Sequence, residues 1–320
     1  MGRHLLIYDV DWWILGKDAK VIRQHHPALD LMSIRELDRY LELHSSEDIN
    51  QAYDRIGAMC LGIAAYCIFK HIRIDASAAV SYYYFSQNYE TFREWINDEL
   101  IPDPEFLRLV IPRIGVIGAI NERLSQMLRQ IAPEANVKYI GHFVDHQVFR
   151  PSAVLRREST PFVVGWAGDP AKRSKNYATL YKHIRDHFRD DERIRFIETT
   201  GAYPHEEMPQ FYHQLDLLLV TSANEGSAAT ALEAYACGVP VLSTHVGNVK
   251  AASHPDAHGL ILDSDNPADF INVIHQWMGQ QCKLSDIGQQ CRRHIEAFWT
   301  IEQVIEDWLT VLFQWEKERR

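Results

Sequence analysis

The stretch Asn224 to Gly247, NEGSAATALEAYACGVPVLSTHVG, decides the fold of this chain. A short apolar run at 215–220 precedes it, as expected of a strand that is buried on both faces of a parallel sheet. Helix-favouring residues at 228–236 end at a Cys-Gly pair, and a second apolar strand follows at 239–243. This order predicts a βαβ unit with very short loops.

Two glutamates lie where such a unit binds ligands, at the carboxyl ends of its strands. Glu225 falls in the first turn and Glu233 follows eight positions later, roughly two helical turns along, so both can border one crevice. Gly226 allows a ligand close to the backbone. Ser227 is expected to cap the helix, with the N–H groups of 227–229 available for an anion such as a diphosphate. The pattern outlines a nucleotide-sugar site, in which the later carboxylate accepts the ribose hydroxyls.

Glu225 and Glu233, with the tail Gly238-Val239-Pro240-Val241, resemble the Glu-x7-Glu signature of the family 4 retaining glycosyltransferases. This resemblance implies an α/β chain of the GT-B fold: two Rossmann-like domains with parallel sheets facing across a cleft, and a C-terminal helix returning to the first domain. It also implies that Glu225 contacts the donor sugar, Glu233 the ribose and the helix start the diphosphate. The alternative is that both glutamates are ordinary surface residues of an α/β sheet.

A second charged loop follows the strand expected at 162–166. Its cations are Lys172, Arg173 and Lys175. Fixed positive charge at a strand end can stabilise a departing diphosphate. The family carries an arginine where Asp169 stands and a second glycine where Asn176 stands, so Lys175 matches the family lysine while Lys172 or Arg173 would replace the arginine. The alternative is a solvated, basic helix start.

The resemblance thus assigns catalytic roles to Glu225 and Lys175. It assigns donor binding to a wider set: Gly16, Gly168, Lys172, Arg173, Lys175, Asn224, Glu225, Gly226, Ser227, Ala228 and Glu233. It implies no metal and no cofactor, because the family is generally metal-independent and the nucleotide-sugar is a substrate. The Asp9-Val10-Asp11 tripeptide matches a metal-binding pattern of the other large glycosyltransferase fold, which leaves a metal there as the minor alternative.

The first loop departs from the family, since only Gly16 remains of its usual glycine pair. Trp12 and Trp13 in that loop are expected either to stack on a sugar or to plug the domain core. Alternating strand and helix patterns in this half include a core helix at 53–69, a strand at 78–84 and a helix at 88–100.

A boundary is expected near Ser152, because His142 to Pro151, HFVDHQVFRP, resembles the segment that ends the family's first domain. The expected organisation is an acceptor-side domain at 1–152, a donor-side domain at 153–300 and a returning helix at 301–320. The helix expected at 301–315 carries an apolar stripe, which would return to the first domain or pack only on its own.

Bulk properties restrict the partners. The chain has 320 residues and a formal net charge of −10, which argues against broad, non-specific nucleic-acid binding. Its five cysteines form no CxxC pair, and the N-terminus runs straight into an expected strand without a signal peptide, so we expect a cytoplasmic protein. Peripheral contact with the inner face of the membrane is left open.

These observations predict a retaining glycosyltransferase that moves a sugar from a nucleoside-diphosphate sugar to a glycan, a lipid-linked molecule or a small molecule. One alternative is a nucleotide-sugar epimerase of the GT-B fold, which would convert the donor without a transfer product. The other is a non-catalytic sugar- or nucleotide-binding protein, favoured by the lost glycine pair and by Asp169. Nucleotide binding without turnover would favour this last interpretation.

Overall fold

The computed structural model describes residues 2–12, 14–81, 104–152 and 161–315. Contacts between residues divide the described chain into two compact units. The first unit holds the described residues up to His142 together with those from Ile301 onwards, and the second holds Phe143 to Thr300. This division falls before Ser152, near which the sequence predicts the boundary.

The described residues of the first unit form a parallel sheet of six strands in the order β2-β1-β3-β4-β5-β6. These strands are β1 (His4–Tyr8), β2 (Leu29–Ser33), β3 (Arg55–Ala58), β4 (Ile74–Ala79), β5 (Ile114–Ala119) and β6 (Val137–Tyr139). All five residues of β1 are buried, because β1 lies inside the sheet and pairs with both β2 and β3. A near-continuous apolar strand of this kind is typical of a parallel sheet covered on both faces.

Helices α1 to α6 follow the strands of this sheet, and α13 joins the same unit from the far end of the chain. They are α1 (Ile14–Gln24), α2 (Ile34–Leu43), α3 (Ser46–Ala52), α4 (Leu61–Phe69), α5 (Pro104–Leu109), α6 (Glu122–Ile131) and α13 (Ile301–Phe313). The side chain of Ser33 caps α2 in a capping box with Glu36, and the side chain of Asn121 caps α6.

Helix α13 packs on the central strands of the first sheet. Trp308 is 1% exposed, and the Phe313 ring lies beside Gly57 of β3. The Arg55 side chain donates a hydrogen bond to the Leu312 carbonyl oxygen, at 3.2 Å. The predicted return of the C-terminal helix to the first domain is therefore confirmed.

Two sequence predictions in this unit were wrong in detail. The segment 53–69 is not one helix, because Arg55–Ala58 forms β3 and α4 begins only at Leu61. Ile56 to Ala58 pair with β1, and that pairing between strands outweighs the helical pattern. The strand expected at 78–84 is β4, which lies earlier, at Ile74–Ala79. The helix expected at 88–100 lies outside the described residues.

In the second unit, the part of the chain that the structure describes forms a parallel sheet of five strands in the order β11-β10-β9-β7-β8. Its strands are β7 (Phe162–Ala167), β8 (Ile194–Thr199), β9 (Leu217–Val220), β10 (Val241–Thr244) and β11 (Ile261–Leu262). Its helices are α7 (Lys182–His187), α8 (Met208–Tyr212), α9 (Ala229–Ala236), α10 (Val249–Ala252), α11 (Pro267–Trp277) and α12 (Gln281–Phe298). One π-helical turn, Tyr177–Tyr181, leads into α7.

Helix α9 is fixed by its packing against α12. Gly238 ends α9 with a φ of +75°, a left-handed conformation that glycine adopts at little cost. Its carbonyl oxygen approaches Gly288 so closely that a Cβ there would lie 2.1 Å away. The Arg292 guanidinium on α12 donates to the Ala236 carbonyl oxygen at 2.6 Å, which satisfies one of the carbonyl groups left open at the end of α9.

Each sheet contains a point where the strand order reverses. In the second unit, β7 lies between β8 and β9, and in the first unit β1 lies between β2 and β3. At such a point the loops leave two neighbouring strands in opposite directions and open a crevice at their carboxyl ends. In the second unit the crevice falls after β7 and β9.

Candidate functional site

The two loops that the sequence singles out both leave this reversal point. The loop of Gly168 to Asn176 follows β7, and the loop that contains Glu225 follows β9. The Ala223 N–H donates to the Ser174 carbonyl oxygen, at 2.6 Å, which joins the loops directly. The topology therefore brings together residues that lie about fifty positions apart in the sequence.

Lys175 and Glu225 form an ion pair between these loops, from Nζ to Oε1. The Ser222 hydroxyl donates to the same Oε1 atom, at 2.7 Å. The side chains of Lys175 and Glu225 are 23% and 13% exposed, so the pair is partly shielded from water but reachable by a ligand. The site thus offers one cation and one carboxylate side by side.

The position of Lys175 is fixed through its backbone. The Thr221 hydroxyl donates to the Lys175 carbonyl oxygen at 2.8 Å, and the Trp166 indole N–H donates to that hydroxyl oxygen at 3.1 Å. Asn176 follows with a φ of +50°. This conformation accounts for the glycine that the family carries at this position, because asparagine tolerates it better than most other residues.

The other predicted residues of this first loop occupy less enclosed positions. Lys172 and Arg173 are exposed. The Gly168 N–H donates to the Thr199 carbonyl oxygen, at 3.1 Å, and so joins the loop to the end of β8. Lys175, in the same loop, is the cation whose ammonium group pairs with the Glu225 carboxylate.

Glu233 lies in a separate, buried set of contacts on α9. Its residue is 6% exposed, and its carboxylate accepts a hydrogen bond from the Tyr212 hydroxyl at 2.6 Å. The His205 Nε2 atom lies 3.2 Å from its other oxygen. Burial, and then the nearby carboxylate, raise the pKa of Tyr212 well above its usual range, so the phenol keeps its proton and donates.

His205 and Tyr212 were not predicted as site residues from the sequence. Tyr212 ends α8, and His205 begins the short 3-10 turn His205–Glu207 before it. Neither residue belongs to a motif, and only the packing of α8 against α9 brings them to Glu233. No spacing in the sequence would have indicated these contacts.

The start of α9 differs from the prediction. Ala228 occupies the N-cap position without a side-chain cap, and the Ser227 hydroxyl instead accepts a hydrogen bond from the Asn248 amide at 2.9 Å. The Ala229 N–H donates to the Ser227 carbonyl oxygen, at 3.0 Å. The prediction that Ser227 caps the helix, and that the Ala229 N–H is available to an anion, was therefore wrong. Ser227 is held by the loop after β10.

The loop after β10 also presses against the Glu225 turn. Gly247 has a φ of +50°, and a Cβ there would lie 2.8 Å from the Glu225 carbonyl oxygen. Gly226 and Asn224 are both buried in this turn. The backbone around Glu225 is consequently enclosed on the side of Gly247.

In the first unit, Gly16 lies in α1 against the first loop, where a Cβ would be 2.2 Å from the Val10 carbonyl oxygen. Asp11 in that loop pairs with Lys20 at 2.6 Å. Trp12 is 68% exposed, which excludes its predicted role as a core plug, whereas Trp13 lies outside the described residues.

Residues 167–294 match the family described as glycosyl transferases group 1. The matched residues include Lys175, Glu225 and Glu233 and end within α12. The family resemblance read from the sequence is confirmed.

Curated relatives of the chain include two proteins called D-inositol 3-phosphate glycosyltransferase. The one from Corynebacterium efficiens is 29% identical over 211 residues, which cover 61% of this chain and 48% of the relative. The one from Nocardia farcinica is 30% identical over 131 residues, covering 40% of this chain and 28% of the relative. The matches thus span less than half of these relatives.

Solved structures of similar fold cover nearly the whole chain. Sucrose-phosphate synthase from Thermosynechococcus elongatus matches with a TM-score of 0.72 at 12% identity, covering 98% of each chain. Anabaena HepE, solved in complex with UDP and glucose, matches with a TM-score of 0.67 at 14% identity, covering 98% of this chain and 100% of its own. These likenesses confirm the predicted GT-B fold class. In the part of the chain that the structure describes, no helix combines the length and the hydrophobicity that crossing a membrane requires.

Proposed function

We propose that the protein is a retaining, metal-independent hexosyltransferase that moves a sugar from a nucleoside-diphosphate sugar to an acceptor. The observation that carries this proposal is the contact between Lys175 and Glu225 at the strand-order reversal of the second sheet. A cation and a carboxylate at this point offer one group for a diphosphate and one for sugar hydroxyls.

Lys175 is proposed to stabilise the departing diphosphate. Negative charge grows on the leaving group as the bond to the sugar breaks, and a fixed cation lowers the energy of that transition state. Lys172 and Arg173, exposed on the same loop, would add positive charge at its rim. In the structure the Lys175 charge is balanced by the Glu225 carboxylate.

We therefore propose that, when the donor binds, Lys175 exchanges its partner Glu225 for the diphosphate. The diphosphate competes for the Lys175 ammonium, and the Glu225 carboxylate, still held by the Ser222 hydroxyl, becomes available to the sugar hydroxyls. The exchange keeps the ammonium paired with a negative group before and after binding. It also couples the arrival of the diphosphate to the positioning of the sugar.

Glu233 is proposed to accept the ribose hydroxyls. The buried Tyr212 hydroxyl donates a hydrogen bond that holds the Glu233 carboxylate in place. His205, whose side chain is 27% exposed, lies on the other oxygen, where a ribose hydroxyl could replace it. A carboxylate has enough acceptor positions to keep the Tyr212 bond while it binds a ribose.

The comparisons guide the choice of donor. HepE has been solved with UDP-glucose, which supports a uridine nucleotide as the first donor to test here. The acceptor is proposed to be a glycan, a lipid-linked molecule or a small molecule, met in the cytoplasm or at the inner face of the membrane. Acceptors are proposed in this general form because the matches cover less than half of the inositol phosphate enzymes.

The test measures UDP binding by calorimetry and UDP release from UDP-sugars with a panel of acceptors. Glu225→Gln is expected to lower turnover by about 100-fold or more while UDP binding is retained. Glu233→Gln is expected to weaken UDP binding by about 10-fold, the effect of about 1.4 kcal/mol of lost binding energy. Glu192→Gln, at an exposed position, is the matched control and should change neither quantity.

Lys175→Met tests the leaving-group role, with the exposed Lys182→Met as its control. Turnover should fall in the first variant and not in the second. If UDP and UDP-sugars fail to bind the wild-type protein, or if Glu225→Gln and Lys175→Met retain full turnover, the proposed function is wrong.

A further inference from the structure

The carboxylate of Glu233 has a neighbour on each of its two oxygen atoms. The Tyr212 hydroxyl donates to one oxygen at 2.6 Å, and the His205 Nε2 atom lies 3.2 Å from the other. The Glu233 side chain is 8% exposed and Tyr212 is fully buried, whereas the His205 side chain is 27% exposed. A ligand that comes from solvent therefore reaches this carboxylate on the side of His205.

The His205 ring can leave Glu233 in one direction. On its inner side it meets the Phe149 ring edge to face, with the centroids 5.0 Å apart. Phe149 is fully buried, and a close-packed core has no room for the imidazole to move inwards. A hydroxyl group that takes the place of His205 on Glu233 thus displaces the imidazole towards solvent.

The strength of the contact between His205 and Glu233 depends on a proton. Histidine is the side chain whose charge ordinarily changes between pH 5 and pH 8. A protonated His205 forms an ion pair with the Glu233 carboxylate, and a ligand that displaces the imidazole must break it. A neutral His205 has no charge to pair, so the same displacement costs less.

The other titratable groups around the contact leave this dependence to His205. Burial raises the pKa of Tyr212 well above its usual range and also raises the pKa of the Cys237 thiol, whose charge would interact with Glu233. Both groups therefore stay neutral between pH 5 and pH 8. Glu206 and Glu207 lie on the same turn as His205, but they are exposed to water.

We propose that His205 competes with the ribose of the donor for Glu233, and that protonation of its imidazole strengthens this competition. The inference rests on the proposed function, because that function places the ribose on Glu233. Donor binding separates His205 from the carboxylate and so weakens the hold of the imidazole on its proton. By the same coupling the proton weakens donor binding, and the affinity for UDP falls as the pH drops from 8 to 5.5.

The test measures UDP binding to the complete chain by calorimetry at pH 8 and at pH 5.5. Between these pH values the affinity of the wild type should fall about 5-fold more than that of His205→Gln, the effect of one partly exposed ion pair. Ionisation of UDP itself affects both proteins alike. His183→Gln, at an exposed histidine of α7, is the matched control and should behave like the wild type.

Proton release provides a second measurement, which a purely structural role of His205 would not change. Titrations at pH 6.5 in two buffers of different ionisation enthalpy count the protons that leave when UDP binds, and the wild type should release more than His205→Gln.

The outcomes separate this inference from the proposed function. If UDP binds, but the wild type and His205→Gln show the same pH dependence and the same proton release, the competition by His205 is refuted and the donor site stands. If UDP does not bind to the wild type even at pH 8, the proposed function is wrong and this inference falls with it.

Discussion

Acidification is expected to destabilise the first unit through a buried pair of histidines. The His26 side chain is fully buried, and its Nε2 atom lies 2.7 Å from the Nδ1 atom of His4. The Phe313 ring stacks on His4 and the Trp315 ring on His26, with centroids at 5.5 Å and 4.7 Å. Burial, and then the charge of His4, lower the pKa of His26 to about 4.

The size of the effect follows from the proton that the folded protein does not bind. An unfolded histidine binds that proton near pH 6.5, whereas His26 in the folded protein binds it only near pH 4. The stabilisation is therefore complete above pH 6.5 and is lost as the pH falls towards 4. At pH 5 the loss amounts to about 2 kcal/mol. The pKa of His4 is also lowered, chiefly by burial, so its contribution has the same sign.

The assay is urea unfolding followed by circular dichroism at pH 7.5 and at pH 5, on the wild type and on His26→Gln. Titrating groups that do not contact His26 affect both proteins alike, so the difference between their pH responses reports on His26 and its partner His4. The wild type should lose about 2 kcal/mol more than the variant between the two pH values.

Equal losses in the two proteins would refute this reasoning. If His26→Gln does not fold, the ring proton signals of the wild type supply the answer by nuclear magnetic resonance. A His26 ring that is already protonated in the folded protein at pH 5 would likewise contradict the prediction.

Three further substitutions test the packing around the site and the last helix. Gly247→Ala forces an alanine into a left-handed conformation against the Glu225 carbonyl oxygen, and it should lower the free energy of unfolding in urea by about 1–3 kcal/mol. The control is Gly259→Ala, whose new methyl group points into open space and should change the free energy of unfolding by less than about 0.5 kcal/mol. Tyr212→Phe removes the donor to Glu233 and should cost about 1–3 kcal/mol in the same assay, with weaker UDP binding by calorimetry. Trp308→Ala removes a buried side chain and should lower the free energy of unfolding by about 3–5 kcal/mol in the same assay. For each of the three destabilising variants, a change in the free energy of unfolding below about 1 kcal/mol would contradict the reasoning.

Local patterns predicted the second unit well. The βαβ unit around Glu225 appears as β9, α9 and β10, because short apolar runs bounded by turn residues define both strands and the helix between them. In the first unit the apolar residues of β3 and α4 are separated only by Met59 and Cys60, so periodicity could not divide 53–69 into a strand and a helix. Residues 55–58 form a strand because they pair with β1 and β4, which are distant in the sequence.

In the candidate site, too, local sequence patterns predicted individual residues but not the contacts that tertiary structure makes between them. The sequence predicted Lys175 and Glu225 as separate members of one site, and their contact arises from the order of β7 and β9 in the sheet. The partners of Glu233 could not be predicted, since Tyr212 and His205 reach it only through helix packing. The failed cap at Ser227 has a similar cause, because Asn248 from a different loop binds its hydroxyl.

The placement of α13 has a consequence for how the protein is made. The ribosome synthesises residues 143–300 before α13, so the second unit can complete its sheet while β3, β4 and β5 still lack the helix that covers them. At ~5–20 residues per second this interval lasts roughly 10–30 s. During that time the nascent first unit exposes the apolar surface that Trp308 and Phe313 later bury, and we expect it to need protection from aggregation until the chain has emerged.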